Sequence, residues 1–143
     1  ELKNIIQYAN RNRIKLIGIV SKKNSALYKN ADIKLFIPEV KEAGFKTGII
    51  SNNVKEWQPA WDKVIPSSHL FDATIFSSEV GHRKPNPEIF EIALQSLDVS
   101  PQETIFLDDF PAMTEGAKAI GIHGIYVEDH QKAILETRDL LQI

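Results

Sequence analysis

The stretch Ile105-Phe106-Leu107-Asp108-Asp109 is an apolar run that ends abruptly in two adjacent carboxylates. A short run of large apolar side chains is typical of a strand that is buried on both faces of a sheet. In open α/β sheets, ligands bind beyond the carboxyl ends of the strands. The two aspartates therefore indicate a binding site at the end of a buried strand. An acidic helix cap is the alternative for this pair taken alone.

Apolar, β-branched runs recur along the chain and alternate with segments of helical periodicity. The predicted strands are residues 14–20, 45–51, 73–77, 104–107 and 123–127, with 14–20 at the centre between 45–51 and 104–107. The predicted helices are residues 2–10, 54–64, 88–97, 112–120 and 129–141, and no element is assigned to residues 21–35. This alternation predicts a parallel sheet covered by helices, which is an α/β fold.

Length and composition limit the class of protein. A chain of 143 residues is long enough to bury a substantial core and fits one domain over residues 1–143. Its formal charge of -2, without long runs of either sign, favours neither a nucleic acid nor a membrane as a partner. The absence of Cys excludes disulfides and thiolate metal sites and fits a cytoplasmic protein.

Two other segments place polar groups where predicted strands end. The segment Gly48-Ile49-Ile50-Ser51-Asn52-Asn53 puts a hydroxyl and two amides just before a helical pattern, where backbone N–H groups favour an anion. The segment His82-Arg83-Lys84-Pro85-Asn86-Pro87 puts cations beside two prolines that restrict the backbone. Taken alone, the segment at Ser51 is more often an ordinary helix cap, and an isolated Lys-Pro such as that at Lys84 is more often part of a solvated basic turn.

In their order and spacing, these segments resemble the haloacid dehalogenase superfamily. The chain is most similar to the phosphatase-like branch that includes the N-terminal domains of soluble epoxide hydrolases, over Phe36 to about Leu141. The resemblance implies a three-layer α/β/α Rossmann-like fold with a five-stranded parallel sheet and no large cap. It rests on residues 43–53, Phe71-Asp72, residues 77–81, Arg83-Lys84-Pro85-Asn86-Pro87, Asp108-Asp109 and Gly116-Ala117.

The resemblance also implies roles for five residues. Ser51 would bind the phosphoryl group that is transferred, and Asn52 would assist in placing the substrate. Lys84 would neutralise negative charge on the nucleophile and the phosphoryl oxygens. Asp108 and Asp109 would hold Mg²⁺ directly or through water, which agrees with the preference of this ion for oxygen ligands. The substrate would be a small phosphorylated molecule or free phosphate.

One part of the superfamily pattern is missing. Its first motif is a strand that ends in Asp-x-Asp, in which the first Asp attacks phosphorus and the second acts as general acid and base. No Asp-x-Asp occurs in this sequence, and alignment on the apolar run at residues 14–20 puts Val20 and Lys22 at the two positions. Valine cannot form a phosphoenzyme, and Mg²⁺ would lose a principal ligand.

Two explanations of this departure stay open. Either the central strand has lost its carboxylates, or the true first motif lies upstream of Glu1. The presence of a plausible central strand favours the first explanation, and the lack of an initiator Met favours the second. The sequence thus predicts a phosphatase-type hydrolase domain that is weak or inactive, with Mg²⁺ binding weakened or lost. The alternative is a non-catalytic binding or regulatory domain, or a fragment of a longer enzyme, with a protein partner or fused domain.

Overall fold

The computed structural model of the chain describes residues 15–19, 31–57, 59 and 71–143. In chain order, its elements are β1 (Lys15–Ile19), α1 (Ala31–Glu42), β2 (Gly48–Ser51), β3 (Ala73–Phe76), α2 (Ser77–Val80), α3 (Pro87–Leu97), β4 (Thr104–Asp108), α4 (Pro111–Ala119), β5 (His123–Tyr126) and α5 (His130–Leu141). Short 3-10 helices lie at Lys55–Trp57 and Pro101–Glu103. The predicted helix at residues 2–10 and most of the one at 54–64 lie outside the described residues.

The strands are parallel and pair in the order β3-β2-β1-β4-β5. The prediction that the segment around β1 lies between β2 and β4 is confirmed, and so is the α/β Rossmann-like architecture. Because all these strands run the same way, the residues that end β2 and β4 meet at one edge of the sheet, on either side of β1. This edge is where the sequence predicts the ligand.

β2 is shorter than the predicted strand at residues 45–51. The N–H of Thr47 donates to the carboxylate of Asp72 over 2.8 Å, and the N–H of Phe45 donates to the carbonyl of Val40. The chain therefore leaves α1 through a turn, and pairing with β3 begins only at Gly48.

α1 was not predicted, because it begins within the unassigned residues 21–35 and contains Pro38. A proline inside a helix costs about 3 kcal/mol. Phe36, Ile37 and Val40 on this helix are nearly inaccessible to water. Burial of each large apolar side chain stabilises the folded state by about 1.5–3 kcal/mol. Burial against the core therefore outweighs the local penalty, which the sequence pattern could not reveal.

The helices after β3 and β4 pack on the sheet and on each other. α3 begins with Pro87 in its first turn and buries five apolar side chains, Ile89, Phe90, Ala93, Leu94 and Leu97. The ring of Phe90 meets that of Phe106 on β4 edge to face, with 5.0 Å between their centres. This packing fixes α3, and hence the loop that precedes it, against the buried strand β4.

α4 approaches the loop before α3 more closely than a side chain would allow. A β-carbon added at Gly116 would lie 2.5 Å from the carbonyl oxygen of Pro85 and 2.7 Å from its Cβ. Such contacts are far below van der Waals separation and involve backbone that cannot rotate away. The glycine therefore sets how closely α4 packs against the segment that carries Lys84.

No helix within residues 31–57 and 71–143 is long and apolar enough to cross a bilayer.

Gly116→Ala should lower the free energy of unfolding by about 1–2 kcal/mol, because the overpacking cost exceeds the gain in helix propensity. Urea denaturation followed by circular dichroism measures the change. Glu115→Ala is the control, since this exposed neighbour forms only a surface pair with Lys118 and its loss should cost at most about 0.5 kcal/mol. Equal stability of Gly116→Ala and the unmodified chain would contradict the close packing.

Candidate functional site

The site is assembled from three separate segments at the carboxyl edge of the sheet. Ser51 ends β2, Asp108 ends β4, and Lys84 lies in the loop between α2 and α3. The Nζ of Lys84 lies 2.7 Å from Oδ2 of Asp108, and the two side chains are 3% and 0% exposed. The structure therefore brings together the lysine and the aspartate that the sequence singled out. Arg83 and His82, which precede Lys84 in this loop, are exposed.

Burial dominates the electrostatics of this ion pair. Loss of water lowers the pKa of the Lys84 ammonium and raises the pKa of the Asp108 carboxyl, while their mutual attraction opposes both shifts. The ammonium also lies 5.4 Å from the ring centre of Phe106, within the range of a cation–π interaction. Keeping two charges in this environment costs desolvation energy, so stability alone does not account for the pair.

Asn52 has contacts that the sequence did not indicate. Its Nδ2 donates to the carbonyl oxygen of Lys84 over 2.9 Å, and its Oδ1 accepts from the N–H of Lys84 over 2.8 Å. Both residues are buried. The side chain expected to face the substrate therefore binds the main chain of the lysine.

Three buried side-chain oxygen atoms have no hydrogen-bond partner within the described part of the chain. They are Oγ of Ser51, Oγ of Ser78 and Oδ1 of Asp109. An unsatisfied buried polar atom costs about 1–3 kcal/mol, so such atoms are usually explained by a ligand, ion or water. At the ends of β2 and β4, the Ser51 hydroxyl is suited to an anion, and the Asp109 carboxylate oxygen is suited to a cation.

A magnesium ion fits these residues only in part. Asp109 offers a free oxygen, but Asp108 accepts from Lys84 through Oδ2 and from the N–H of Phe110 through Oδ1. Within the described ranges, no group of three or more His, Cys, Asp or Glu side chains lies close enough to hold a metal. Mg²⁺ binds through one or two carboxylates when water and phosphate complete its shell, so Asp109 and Asp108 are the described residues that could hold it.

Some of these contacts were beyond sequence reasoning. The pairing of Asn52 with Lys84 joins residues that are 32 positions apart in the sequence. Phe106 was predicted only as part of a buried strand, and its contact with the ammonium of Lys84 was not predicted. The dipeptide Gly116-Ala117 was part of the family resemblance, but its contact with Pro85 was not predicted. The two prolines that follow Lys84, Pro85 and Pro87, were the local sign that the position of this residue is fixed.

A parallel α/β sheet with a hydroxyl, a buried lysine and two aspartates at its carboxyl edge defines a Rossmann-like domain with a candidate ligand site at that edge. Residues 2–127 match the family described as haloacid dehalogenase-like hydrolase, and the chain belongs to that family.

Curated relatives include phosphatases and larger proteins. The chain is 36% identical to the bifunctional epoxide hydrolase 2 of Rattus norvegicus over 104 residues, which is 68% of this chain and 18% of that protein. It is 30% identical to a sesquiterpene phosphatase of Aspergillus oryzae over 122 residues, which is 80% of this chain and 59% of that protein. The chain thus spans less than two thirds of the length of these relatives. It is a haloacid dehalogenase-like domain related to phosphatases.

A solved structure supports the fold independently. An uncharacterised protein from Corynebacterium glutamicum superposes with a TM-score of 0.77 at 20% identity, covering 91% of this chain and 96% of that one. At this identity the similarity concerns the fold alone.

Lys84→Met should lower the free energy of unfolding by about 3–5 kcal/mol, because it leaves Asp108 buried without its partner. Adding Asp108→Asn should recover most of the loss, since the neutral pair avoids the desolvation cost. The matched control is Lys41→Met, which breaks the partly exposed Lys41–Asp72 pair and should cost at most about 1 kcal/mol. Urea unfolding midpoints decide, and a double variant as unstable as the single one would contradict the electrostatic account.

Proposed function

We propose that this domain binds the phosphate group of a small phosphorylated molecule, or free phosphate, through Ser51 and Lys84, and hydrolyses phosphate esters weakly or not at all. The observation that carries the proposal is the buried ammonium of Lys84 at the strand edge where Ser51 has an unpartnered hydroxyl. Membership of a family related to phosphatases supports phosphate as the anion.

The physical basis of binding is a cation and a hydroxyl held away from water. A charge-assisted hydrogen bond is about twice as strong as a neutral one, and water exclusion strengthens it further. Ser51 is 0% exposed, so a phosphate oxygen can reach its hydroxyl only after a local rearrangement. We therefore expect specific but weak binding, with Asp108 competing with phosphate for the ammonium.

Weak or absent turnover follows from the sequence at the end of the central strand. Phosphoryl transfer in this family needs a carboxylate to form a bond to phosphorus while the leaving oxygen receives a proton from a second carboxylate. Val20 and Lys22 stand at these positions. Lys84 and Ser51 would stabilise the charge of a phosphoryl group, but they do not supply the nucleophile.

Magnesium would be held by Asp109 and, where its pairing with Lys84 allows, by Asp108. When bound, the ion would neutralise charge on the phosphoryl oxygens. With one of the two carboxylates already paired, we expect low affinity for this ion.

The scaffold that we propose is a single α/β/α domain over residues 1–143 without a large cap. α3 and α4 contact each other and strands β2 to β5, while α1 contacts α5, which supports one helical layer on each face of the five strands. Few residues separate the central strand from Ser51, so little chain is available there for a cap.

A second candidate function is a non-catalytic binding or regulatory domain joined to other domains. It is favoured by the small share of the rat epoxide hydrolase that the chain spans, 18%. In that case Ser51 and Lys84 would sense a phosphorylated molecule for a partner or fused domain. Detectable Mg²⁺-dependent turnover of a phosphate ester by the unmodified chain would decide for a hydrolase, and phosphate binding without turnover would favour the binding domain.

Inorganic phosphate should bind to the unmodified chain with a dissociation constant of about 1 mM or weaker, as expected for one or two charge-assisted contacts. Ser51→Ala and the double variant Lys84→Met/Asp108→Asn should each weaken binding by roughly 10-fold or more. Phosphorus-31 NMR line broadening measures the affinity. Lys118→Ala removes an exposed cation and should change nothing, so an equal loss there would reduce the binding to non-specific charge attraction.

Beryllofluoride, which mimics a phosphorylated carboxylate, should not be captured by the unmodified chain, and p-nitrophenyl phosphate should not be hydrolysed with Mg²⁺. Val20→Asp should create capture, and Val20→Asp with Lys22→Asp should add slow turnover. Ser21→Asp is the matched control, because it adds the same carboxylate one residue away from the position that the alignment gives to the nucleophile. Fluorine-19 NMR detects the adduct. Capture or Mg²⁺-dependent turnover by the unmodified chain would show that another group serves as the nucleophile.

A further inference from the structure

We infer that Asn52 acts on phosphate through Lys84 and is a positioning residue: its amide holds the main chain of Lys84 so that the ammonium stays at the strand edge. This inference rests on the proposed phosphate-binding function, but it concerns an arrangement that exists before any ligand binds. It also replaces the role in substrate placement that family resemblance implies for Asn52.

The side-chain amide of Asn52 pairs with the backbone N–H and carbonyl groups of Lys84. The amide of Asn52 donates to the carbonyl of Lys84 over 2.9 Å and accepts from the N–H of the same residue over 2.8 Å. Two hydrogen bonds to a single residue restrain both its position and the orientation of its backbone. Because Asn52 directly follows β2, the loop that carries Lys84 is held in place by the sheet itself.

The chemistry of the amide limits what else it can do. Oδ1 of Asn52 is an acceptor, so it would repel a phosphate oxygen, and it is already used by the N–H of Lys84. Of the two hydrogens on Nδ2, one is used by the carbonyl of Lys84. The side chain is 9% exposed. Most of the hydrogen-bonding groups of the Asn52 side chain are thus used by the backbone of Lys84.

Loss of the Asn52 amide would affect the main chain of Lys84 first. Removing the amide would leave a buried N–H and a buried carbonyl without these partners, and the loop would move to satisfy them. The ammonium lies at the end of a long side chain, so a small backbone rotation displaces it by several times the backbone movement. Contacts with Asp108 and Phe106 would weaken as a result.

The test reads the Lys84 ammonium directly in the absence of phosphate. In the full chain labelled with nitrogen-15 lysine, a buried, paired ammonium gives a slowly exchanging side-chain signal, identified by its loss in Lys84→Met/Asp108→Asn. In Asn52→Leu, which fills the same volume without hydrogen bonds, we expect this signal to shift or vanish. Phosphate affinity should fall roughly 10-fold, a loss typical of removing a group that supports a binding residue.

Three further variants make the result decisive. Asn52→Ala tests the loss of the amide without added bulk. Asn52→Gln keeps an amide and should restore part of the Lys84 signal and of the phosphate affinity. Asn86→Ala removes an exposed amide that makes no capping hydrogen bond, and it should change neither the signal nor the affinity. Lower phosphate affinity with an unchanged Lys84 signal would mean direct contact of Asn52 with phosphate and would overturn the inference. If neither Asn52→Leu nor Asn52→Ala folds, Asn52 belongs to the fold, which would also overturn it. Failure of the unmodified chain to bind phosphate would refute the proposed function without altering the Lys84 signal.

Discussion

The buried ion pair between Lys84 and Asp108 is the interaction around which the rest of this domain is arranged. Two charges that approach within 2.7 Å in an environment almost without water are stable only if their surroundings hold them there. Replacing such a pair by apolar side chains of similar volume is often neutral or stabilising. Stability alone therefore does not account for the pair, and the proposed binding of an anion by Lys84 would account for it.

The structure holds this cation from three sides with groups of different chemistry. The amide of Asn52 binds the main chain of Lys84, the ring of Phe106 lies beneath its ammonium, and the absence of a side chain at Gly116 lets α4 pack against Pro85. The three residues belong to different parts of the fold, since Asn52 follows β2, Phe106 lies in β4 and Gly116 lies in α4. The position of one ammonium thus depends on the packing of the whole sheet, as expected for a functional group held on rigid elements.

The given sequence contains no Asp-x-Asp, so the proposal separates phosphate binding from turnover. In the proposed function, Lys84 and Ser51 stabilise a phosphoryl group, whereas the carboxylates of the superfamily's first motif would form and break bonds to it. Lys84 lies in the loop before α3 and Ser51 ends β2, so neither residue belongs to the central strand β1. An α/β scaffold can therefore keep its anion site after the residues for turnover have changed.

The sequence alone determined the locally encoded features, namely the recurring apolar runs and the polar residues at which these runs end. The apolar runs predicted parallel strands with β1 between β2 and β4, and the polar residues after them marked the edge where Lys84 and Asp108 meet, because strand ends are encoded next to the strands. α1 was missed because it begins within the unassigned residues 21–35 and contains Pro38, and its stability depends on tertiary contacts such as the burial of Phe36, Ile37 and Val40. The pairing of Asn52 with Lys84 was decided by the tertiary structure, because an amide in the sequence carries no sign of which distant backbone it will bind.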